Sequence, residues 1–355
     1  MTKKRSNVRI WWIDDETDRL KPSAQQAIRH PDQRQLPGRS AELTVIKLGK
    51  NMPMMQVLAD FNAARNAGKS PDLIIVDQML NQLSNGDGVV QKGSSFAVAL
   101  RDKDPMIPLV GVTGAPFSDV AELQKRQFIE FFPRDDLQSG ARIPDLYAIA
   151  DGFVELINLS GKASAATHSS KQLLRLLNCP VEDSDLLLNC IPGEFRSEWD
   201  QGTPHGFACW IWHTLLGRPG FLYDELETST LLGLKPEGLN KLTKLLKNCK
   251  YAGAFVSASR PRWWISRVRQ TVRELTNAKA TEPLWTLGRK LVGEKEKETY
   301  SRCHGISGGD VVPSVVAFSD GTLHKRVQAH IEDTKPLEND TPPLGFEQRR
   351  VFARR

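Results

Sequence analysis

Two short apolar runs in the first quarter of the chain end abruptly in carboxylates. Residues 8–13 lead into Asp14 and Asp15, and residues 73–76 lead into Asp77. If both runs form neighbouring parallel strands, the three carboxylates meet at the carboxyl edge of one sheet. Carboxylates that share a small pocket repel one another unless a cation lies between them, and Mg²⁺ prefers oxygen ligands of this kind. The sequence therefore predicts a magnesium site formed by Asp14, Asp15 and Asp77.

Two later runs place a hydroxyl and a guanidinium at the same predicted edge. Residues 107–112 lead into Thr113, and residues 128–133 lead into Arg134. Ligands of open α/β sheets bind at the carboxyl ends of the strands. An acid pair, an acid, a hydroxyl and a base, in that order, make a site for a phosphoryl group carried on Asp77.

The strands that position these groups are predicted to be buried on both faces. Residues 73–76 are four consecutive branched aliphatics, as in a parallel sheet covered by helices on each side. The remaining predicted elements are helices at about 17–29, 54–66, 94–101 and 144–159, a strand at 43–48, and polar surface insertions at 30–40 and 81–88. This alternation of strands and helices is typical of an α/β fold.

The ordered residues resemble the receiver domain of bacterial two-component response regulators, over roughly residues 6–160. The resemblance implies a doubly wound, five-stranded parallel sheet in which Asp77 is the phosphoacceptor. Asp14 and Asp15 would hold Mg²⁺, and Thr113 would contact the phosphoryl oxygens. Receivers also keep a switch aromatic three residues before the basic position, where this chain has Phe131.

One position departs from the pattern of that family. Receivers usually carry Lys followed by Pro at the basic position, whereas this chain has Arg134 followed by Asp135. Arginine supplies a positive charge and a planar fork of donors, and its shape differs from that of lysine. A degenerate receiver that serves only as a docking scaffold is therefore an alternative to a phosphorylated one.

Length and charge predict a second domain of different character. The chain has 355 residues, enough for two domains, and no apolar run of membrane-spanning length, so we expect a cytoplasmic protein. Residues 1–160 contain 20 Lys+Arg and 20 Asp+Glu, so the remainder supplies the whole net charge of +6. We predict a receiver-like domain at 1–160, a linker at 161–171, a mainly helical output domain with a small β element at 172–332, and an extended basic tail at 333–355.

A basic segment of the second region is similar to a winged helix-turn-helix at residues 221–268. Two helices are predicted at 221–232 and 237–248, followed by a hairpin of residues 251–256 and 262–265. Residues 235–275 contain ten Lys+Arg and two acidic residues. The candidate contacts to nucleic-acid phosphates are Lys241, Lys244, Lys247, Arg260 and Arg262. A basic face that docks a protein partner is an equally weighted alternative.

A second functional class is suggested by histidine and cysteine residues. On one helix, His205, Cys209 and His213 share a face at i, i+4 and i+8 and could ligate zinc, although a tetrahedral site needs a fourth ligand. Packing of these side chains among the tryptophans of an ordinary core is the favoured interpretation. Further candidate groups of an enzymatic site are Cys303, His304, Asp310 and His330. No recognised catalytic spacing connects these residues, so we expect a non-enzymatic signalling protein that a histidine kinase or another phosphodonor phosphorylates. A receiver-regulated enzyme stays the alternative.

Overall fold

The computed structural model describes residues 6–16, 20–49, 53–85, 89–114, 126–160, 170–193, 195, 204–304, 314–319, 322–330 and 334. Most of the predicted linker and of the predicted tail lie outside these ranges, and so does Asp310.

A five-stranded parallel sheet forms the centre of the N-terminal region. Its strands are β1 (Asn7–Asp14), β2 (Ser40–Lys47), β3 (Leu73–Asp77), β6 (Leu109–Thr113) and β7 (Glu130–Pro133). The spatial order is β2-β1-β3-β6-β7, and every pair within it is parallel. The chain therefore winds outward from β1 in both directions, which is the doubly wound 2-1-3-4-5 order. The predicted α/β class and sheet are confirmed.

Two adjacent strands of this sheet, β3 and β6, are apolar because both of their faces are covered. Every residue of β3 and of β6 is buried. Ile74 and Val76 lie in a core cluster with side chains of α2 (Met54–Asn66) and α3 (Gly93–Lys103). The alternation of side chains along a strand turns Leu73 and Ile75 to the opposite face, where the helix Ile143–Ser160 contacts β3.

The remaining helices of this sheet are short, except for the last. They are α1 (Pro22–Arg29), α4 (Arg134–Gln138) and α5 (Ile143–Ser160). The Tyr147 hydroxyl of α5 donates to the carbonyl of Ile28 in α1 at 2.9 Å, which joins these two helices. Residues 81–85 of the predicted insertion belong instead to β4 (Met79–Asn85), which pairs in antiparallel fashion with β5 (Val89–Lys92).

The chain divides into two compact units that differ from the predicted domains. The first unit comprises Met1–Cys179, Ser184–Gly217 and Ala252–Arg260, and the second comprises Pro180–Asp183, Arg218–Tyr251 and Pro261–Arg355. Three segments predicted to lie in the output domain, 172–179, 184–217 and 252–260, therefore belong to the unit with the parallel sheet. Local sequence patterns do not predict the long-range contacts that place these segments in the first unit.

The first unit gains four helical pieces beyond the sheet. They are α6 (Ser170–Leu176), α7 (Ser184–Cys190), α8 (Pro204–Cys209) and a π-helix (Trp210–Leu215). The π-helix shows an i to i−5 hydrogen bond from Leu216 N to the carbonyl of Ile211. Phe255 packs its ring edge-on against Phe153 of α5.

The second unit is mainly helical with small antiparallel pairs, as predicted. Its core cluster includes Leu239, Trp263 and Val268. The elements in order are β8 (Leu222–Tyr223), α9 (Glu225–Leu231), α10 (Pro236–Leu242), β9 (Trp263–Trp264), α11 (Ile265–Thr276), α12 (Leu284–Val292), β10 (Ser314–Ser319) and β11 (Thr322–His330), with 3₁₀ turns at Val181–Asp183, Lys247–Cys249 and Glu294–Thr299.

The predicted wing of the winged helix-turn-helix is wrong. Residues 251–256 are not a strand, because Phe255 has a left-handed φ of 62°. Trp263 and Trp264 pair with β8, and Trp263 also forms an isolated antiparallel bridge with Lys250. The chain enters α11 at Ile265, the last residue of the predicted hairpin. The predicted helix 237–248 also ends earlier, at Leu242. Two short helices are present, and residues 251–256 do not form the strand that a wing would need.

In the described parts of the chain, no helix combines the length and the apolar character needed to cross a bilayer.

A tight approach between two strands yields a test of the packing. A Cβ added at Gly111 of β6 would lie 2.2 Å from the Phe131 ring of β7. We expect Gly111→Ala to lower the free energy of unfolding by about 1–3 kcal/mol, because overpacking displaces the ring or the strand. Urea unfolding measures the change. Gly49→Ala is the control, since a Cβ there meets nothing within 4 Å, and equal effects of both substitutions would contradict the packing described here.

Candidate phosphoacceptor site

The structure brings the three predicted carboxylates together at the carboxyl edge of the sheet. Asp14 ends β1 and Asp15 follows it, and Asp77 ends the neighbouring β3. One oxygen from each carboxylate lies within 4.8 Å of the others, and all three residues are buried. They are the one group of three or more potential metal ligands among the described residues.

Arg134 closes the cluster from the start of α4. Its Nη1 donates to Asp14 Oδ2 at 2.8 Å, and its Nη2 forms an ion pair with Asp77 Oδ1 at 2.9 Å. The guanidinium therefore bridges carboxylates from two different strands. Its side chain is only 8% exposed, so these contacts are shielded from solvent and little screened by salt.

Asp14 has further donors that hold its carboxylate in place. The indole Nε1 of Trp12 donates to Asp14 Oδ2 at 3.3 Å, and the backbone N–H of Glu16 donates to Oδ1 at 3.0 Å. Trp12 was not predicted as a site residue. A signal existed, because residues two apart on a strand project from the same face.

The electrostatic balance of the site raises the pKa of Asp77. Burial is the largest cause, and the charge of Asp14 adds to it, while Arg134 acts in the opposite direction. The result is a pKa of about 7, against an ordinary value of 3.8. Asp77 is therefore a carboxyl whose ionisation depends on the cations beside it.

Thr113 and Phe131 lie on the two strands beyond Asp77. Asp77 pairs with Val112 in the register of β3 and β6, so the buried Thr113 is the next residue along. A Cβ at the adjacent Gly114 would lie 4.0 Å from Arg134 Nε, which places this strand end beside the guanidinium. The Phe131 ring is in the apolar core and packs edge-on against Phe128 with centroids 5.3 Å apart.

The donor set fits a hard divalent cation. Three carboxylates and one guanidinium leave a net charge of −2 in a buried pocket, which one Mg²⁺ would neutralise. Opposite ligands of Mg²⁺ lie roughly 4.2 Å apart, a spacing comparable with the 4.8 Å that bounds the three oxygens here. Among the described residues, Asp77 Oδ2 has no hydrogen-bond donor. Asp14, Asp15 and Asp77 are therefore suited to hold the ion.

The predicted zinc ligands of the second functional class do not converge. His213 Nε2 donates to the carbonyl of Ile129 at 2.7 Å, whereas Cys209 Sγ lies 3.5 Å from His205 Nε2. The change from α-helix to π-helix after Cys209 alters the angular spacing, which takes His213 away from the face predicted with 100° per residue.

Burial favours the neutral forms of the His205 imidazole and of the Cys209 thiol. It lowers the pKa of His205 to about 4, with the charge of Arg101 acting in the same direction. It raises the pKa of the Cys209 thiol to about 12. A neutral thiol is a poor ligand and a poor nucleophile. Cys303, in the second unit, accepts a hydrogen bond from His330 N through its sulfur.

The predicted phosphate-binding residues of the basic segment are placed in two different units. Arg260 belongs to the first unit, where its Nε lies 3.3 Å from Asp145 Oδ1 and its guanidinium lies over the Trp212 ring. Arg262 belongs to the second unit and pairs with Asp224 at 3.2 Å. The two arginines therefore do not form one wing.

The three lysines of the same prediction are exposed on the second unit. Lys241 forms an ion pair with Glu296. Lys244 and Lys247 follow α10 and are also exposed. Their availability to a partner is thus greater than that of either arginine.

A junction missed by sequence reasoning joins β7 to the π-helix. The indole Nε1 of Trp212 donates to Glu130 Oε2 at 2.8 Å. The other oxygen of Glu130 accepts from the backbone N–H of Phe131 at 2.9 Å. Together with the hydrogen bond from His213 to Ile129, these contacts attach residues 204–215 to the strand that precedes Arg134. The contacts span more than 80 residues, and no local pattern predicts them.

No model of a protein family matches the sequence, and no curated protein sequence matches it either. Solved receiver domains match the N-terminal part. A response regulator receiver domain protein from Clostridium thermocellum is 19% identical and covers 39% of this chain and 94% of its own, with a TM-score of 0.27.

Two further structures match the same part of the chain. The receiver domain of the histidine kinase CKI1 from Arabidopsis thaliana, complexed with Mg²⁺ and BeF₃⁻, is 16% identical and covers 39% and 89%, with a TM-score of 0.26. NtrX from Brucella abortus is 18% identical and covers 47% and 33%, with a TM-score of 0.31. The predicted receiver-like fold is confirmed for this region, and its assignment rests on the sheet order.

The raised pKa of Asp77 predicts a pH dependence of stability. Between about pH 4 and pH 7 the unfolded carboxyl is ionised while the folded one keeps its proton, so stability falls as the pH rises. We expect Asp77→Asn to be spared this loss. In EDTA, the free energy of unfolding of Asp77→Asn relative to that of the wild type should rise by a few kcal/mol across this range and then level off. Urea unfolding at a series of pH values measures it, and a constant difference from pH 4 to pH 8 would rule out the shift.

Proposed function

We propose that residues 6–160 form a response-regulator-like signalling module in which Asp77 accepts a phosphoryl group, with Mg²⁺ as cofactor. The observation that carries this proposal is the convergence of Asp14, Asp15, Asp77 and Arg134 in one buried cluster. The phosphodonor would be a histidine kinase or a small acyl phosphate. The solved receiver domains that resemble this region support the same proposal.

In the proposed reaction, an ionised oxygen of Asp77 attacks the phosphorus atom of the donor. A new oxygen–phosphorus bond forms, the bond from phosphorus to the donor breaks, and the donor leaves with the bonding electron pair. The product is an acyl phosphate on Asp77. When bound, Mg²⁺ would neutralise charge on the transferring oxygens.

The chain's own residues have distinct tasks in this reaction. Arg134 lies 2.9 Å from Asp77 Oδ1 and favours the ionised, nucleophilic form of that carboxyl. Thr113, at the end of the adjacent strand, would donate its hydroxyl to a phosphoryl oxygen. The buried setting of Asp77 limits the access of bulk water, which would slow hydrolysis of the acyl phosphate.

The signal would pass along β7. Arg134 directly follows this strand, and Glu130 at its start is bonded to Trp212. A phosphoryl group changes what Arg134 pairs with, and only contacts that differ between the two states can transmit a change. Residues 204–215 are therefore the first segment outside the sheet in a position to respond.

We propose that the second region acts by binding a protein partner. Supporting this, residues 251–256, predicted as the first strand of a DNA-binding wing, do not form a strand, and Arg262 is engaged with Asp224. The Cys209 thiol is buried as a neutral group and His213 is bonded to the carbonyl of Ile129, which favours binding over catalysis.

Phosphorylation is tested by intact mass. Incubation with acetyl phosphate and Mg²⁺ should add the mass of one phosphoryl group, and hydroxylamine should remove it. Asp77→Asn should abolish the increase, whereas the control Asp136→Asn should keep it, because Asp136 is exposed on α4. An unchanged mass of the wild type, or an increase that survives Asp77→Asn, would contradict phosphorylation of Asp77 and favour the alternative in which this region is a docking scaffold.

The choice of partner class is tested with duplex DNA. We expect the full chain to bind it more weakly than about 10⁻⁴ M at physiological salt, because the arginines of the predicted wing are held in ion pairs. Fluorescence anisotropy measures the affinity. Tighter, salt-sensitive binding that Lys244→Glu with Lys247→Glu abolishes, and that the control Lys279→Glu preserves, would establish DNA as the partner.

A further inference from the structure

A set of side-chain contacts connects the first turn of α5 with β7 and with the π-helix. Asp145 lies in this turn and is fully buried. Its Oδ2 lies 3.2 Å from Arg142 Nη1, and its Oδ1 lies 3.3 Å from Arg260 Nε. Both guanidinium groups also lie over aromatic rings, that of Phe132 in β7 at 4.8 Å and that of Trp212 in the π-helix at 4.2 Å. Asp145 is therefore paired with two arginines that are themselves packed on neighbouring elements.

Glu130 of β7 closes these contacts into a ring. Its Oε2 accepts from Trp212 Nε1 at 2.8 Å and lies 3.9 Å from Arg142 Nη2. The five-residue ring therefore runs, in order, through Glu130, Trp212, Arg260, Asp145 and Arg142. Two carboxylates and two guanidinium groups have no net charge together, so the ring is balanced by its own members. Every member contacts two others, so the loss of one member removes two contacts at once.

Residues 252–260 are attached to this ring by two serines as well as by Arg260. Ser257 Oγ donates to Asp145 Oδ1 at 2.6 Å, and Ser259 Oγ donates to the same oxygen at 2.9 Å. A single buried oxygen thus receives three contacts from one short stretch of chain. The attachment of this segment to α5 is therefore concentrated at Asp145.

The buried position of Asp145 makes the contacts of the ring depend on one another. Removing one partner of a buried ion pair leaves an uncompensated charge, which is costly. If Arg260 moves away, Asp145 loses one of its two arginines and the Trp212 ring loses its cation. If Trp212 moves away, Glu130 loses a donor and Arg260 loses the ring beneath it. Residues that share one network of hydrogen bonds and ion pairs are coupled energetically.

We propose that the five-residue ring is a latch, which makes residues 204–215 and 252–260 detach from β7 and α5 as one body. Along the chain these two segments are separated by Arg218–Tyr251 of the second unit, so the contacts of the ring couple them and the local sequence does not. The latch is independent of phosphorylation of Asp77. It means that any displacement of Glu130 reaches residues 252–260, from which the chain continues into the second unit.

Hydrogen–deuterium exchange of the unphosphorylated full chain tests the latch from both ends. Glu130→Ala removes the acceptor of Trp212, and Ser259→Ala removes a donor to Asp145. We expect Glu130→Ala to accelerate exchange about tenfold in residues 204–215, and Ser259→Ala to do so in residues 252–260, the equivalent of one hydrogen bond to a charged group. Each substitution should also accelerate exchange at least about twofold in the other segment, because the two are coupled.

A matched control is provided by Asp151, which also lies on α5 and pairs with the buried Arg39 at 2.8 Å. Asp151→Asn should lower the melting temperature and leave exchange in both segments unchanged, when each variant is compared at the same interval below its own melting temperature. Acceleration confined to the substituted segment, or found in neither segment, overturns the latch. The same holds if Asp151→Asn accelerates both segments as much as Glu130→Ala does, because the effect would then report general destabilisation.

Discussion

The mutual repulsion of three buried carboxylates is the constraint on which the sheet edge depends. Asp14, Asp15 and Asp77 would not all stay ionised in one buried cluster without a cation, and Arg134 supplies one positive charge among them. Removing one partner of a buried ion pair leaves an uncompensated charge, which is more costly than the pair is favourable. The site is therefore balanced by residues from three strand ends, and any change in charge at Asp77 alters all of its contacts.

This balance is connected to the rest of the first unit through a very short element. β7 has four residues, with Glu130 at its start and Arg134 immediately after its end. Glu130 is anchored by Trp212 and by the backbone of Phe131. A strand of this length has few rotatable backbone bonds between its two ends. A displacement of one end is therefore transmitted to the other end with little loss. Gly111 allows Phe131 to lie close against β6, which ties the same strand to the core.

Local sequence was sufficient to predict the sheet and the convergence of its acidic ends. The apolar runs before Asp14 and Asp77 indicate strands buried on both faces, and parallel pairing then brings their ends together. The pairing of Arg134 with Asp14 and Asp77 was beyond sequence reasoning, because side-chain reach and rotamer decide it. The hairpin after Asp77 was taken for a loop, since residues 81–88 are polar and rich in turn formers.

The larger errors concern contacts made far along the chain. Residues 251–256 have the composition of a strand, yet Phe255 takes a left-handed backbone conformation and packs its ring against Phe153 and Trp212. Tertiary packing overrides strand propensity here. In the same way, the i, i+4 spacing of His205, Cys209 and His213 predicted a common face only for a regular α-helix, and the π-helix removes that condition.

The composition of the second region overstates the positive charge that its surface offers to a partner. The excess of basic residues between 235 and 275 suggested a polyanion partner, but the folded chain uses several of them internally. Within this segment, Arg262 engages Asp224 and Lys241 engages Glu296, and Arg326 from outside the segment engages Asp224 as well. Asp224 also caps α9 by accepting from Glu227 N, so these pairs stabilise a helix start as well as neutralise charge. A cation held in this way contributes little to the release of counter-ions that drives nucleic-acid binding, and the surface that remains is better suited to a specific protein than to a uniform polyanion.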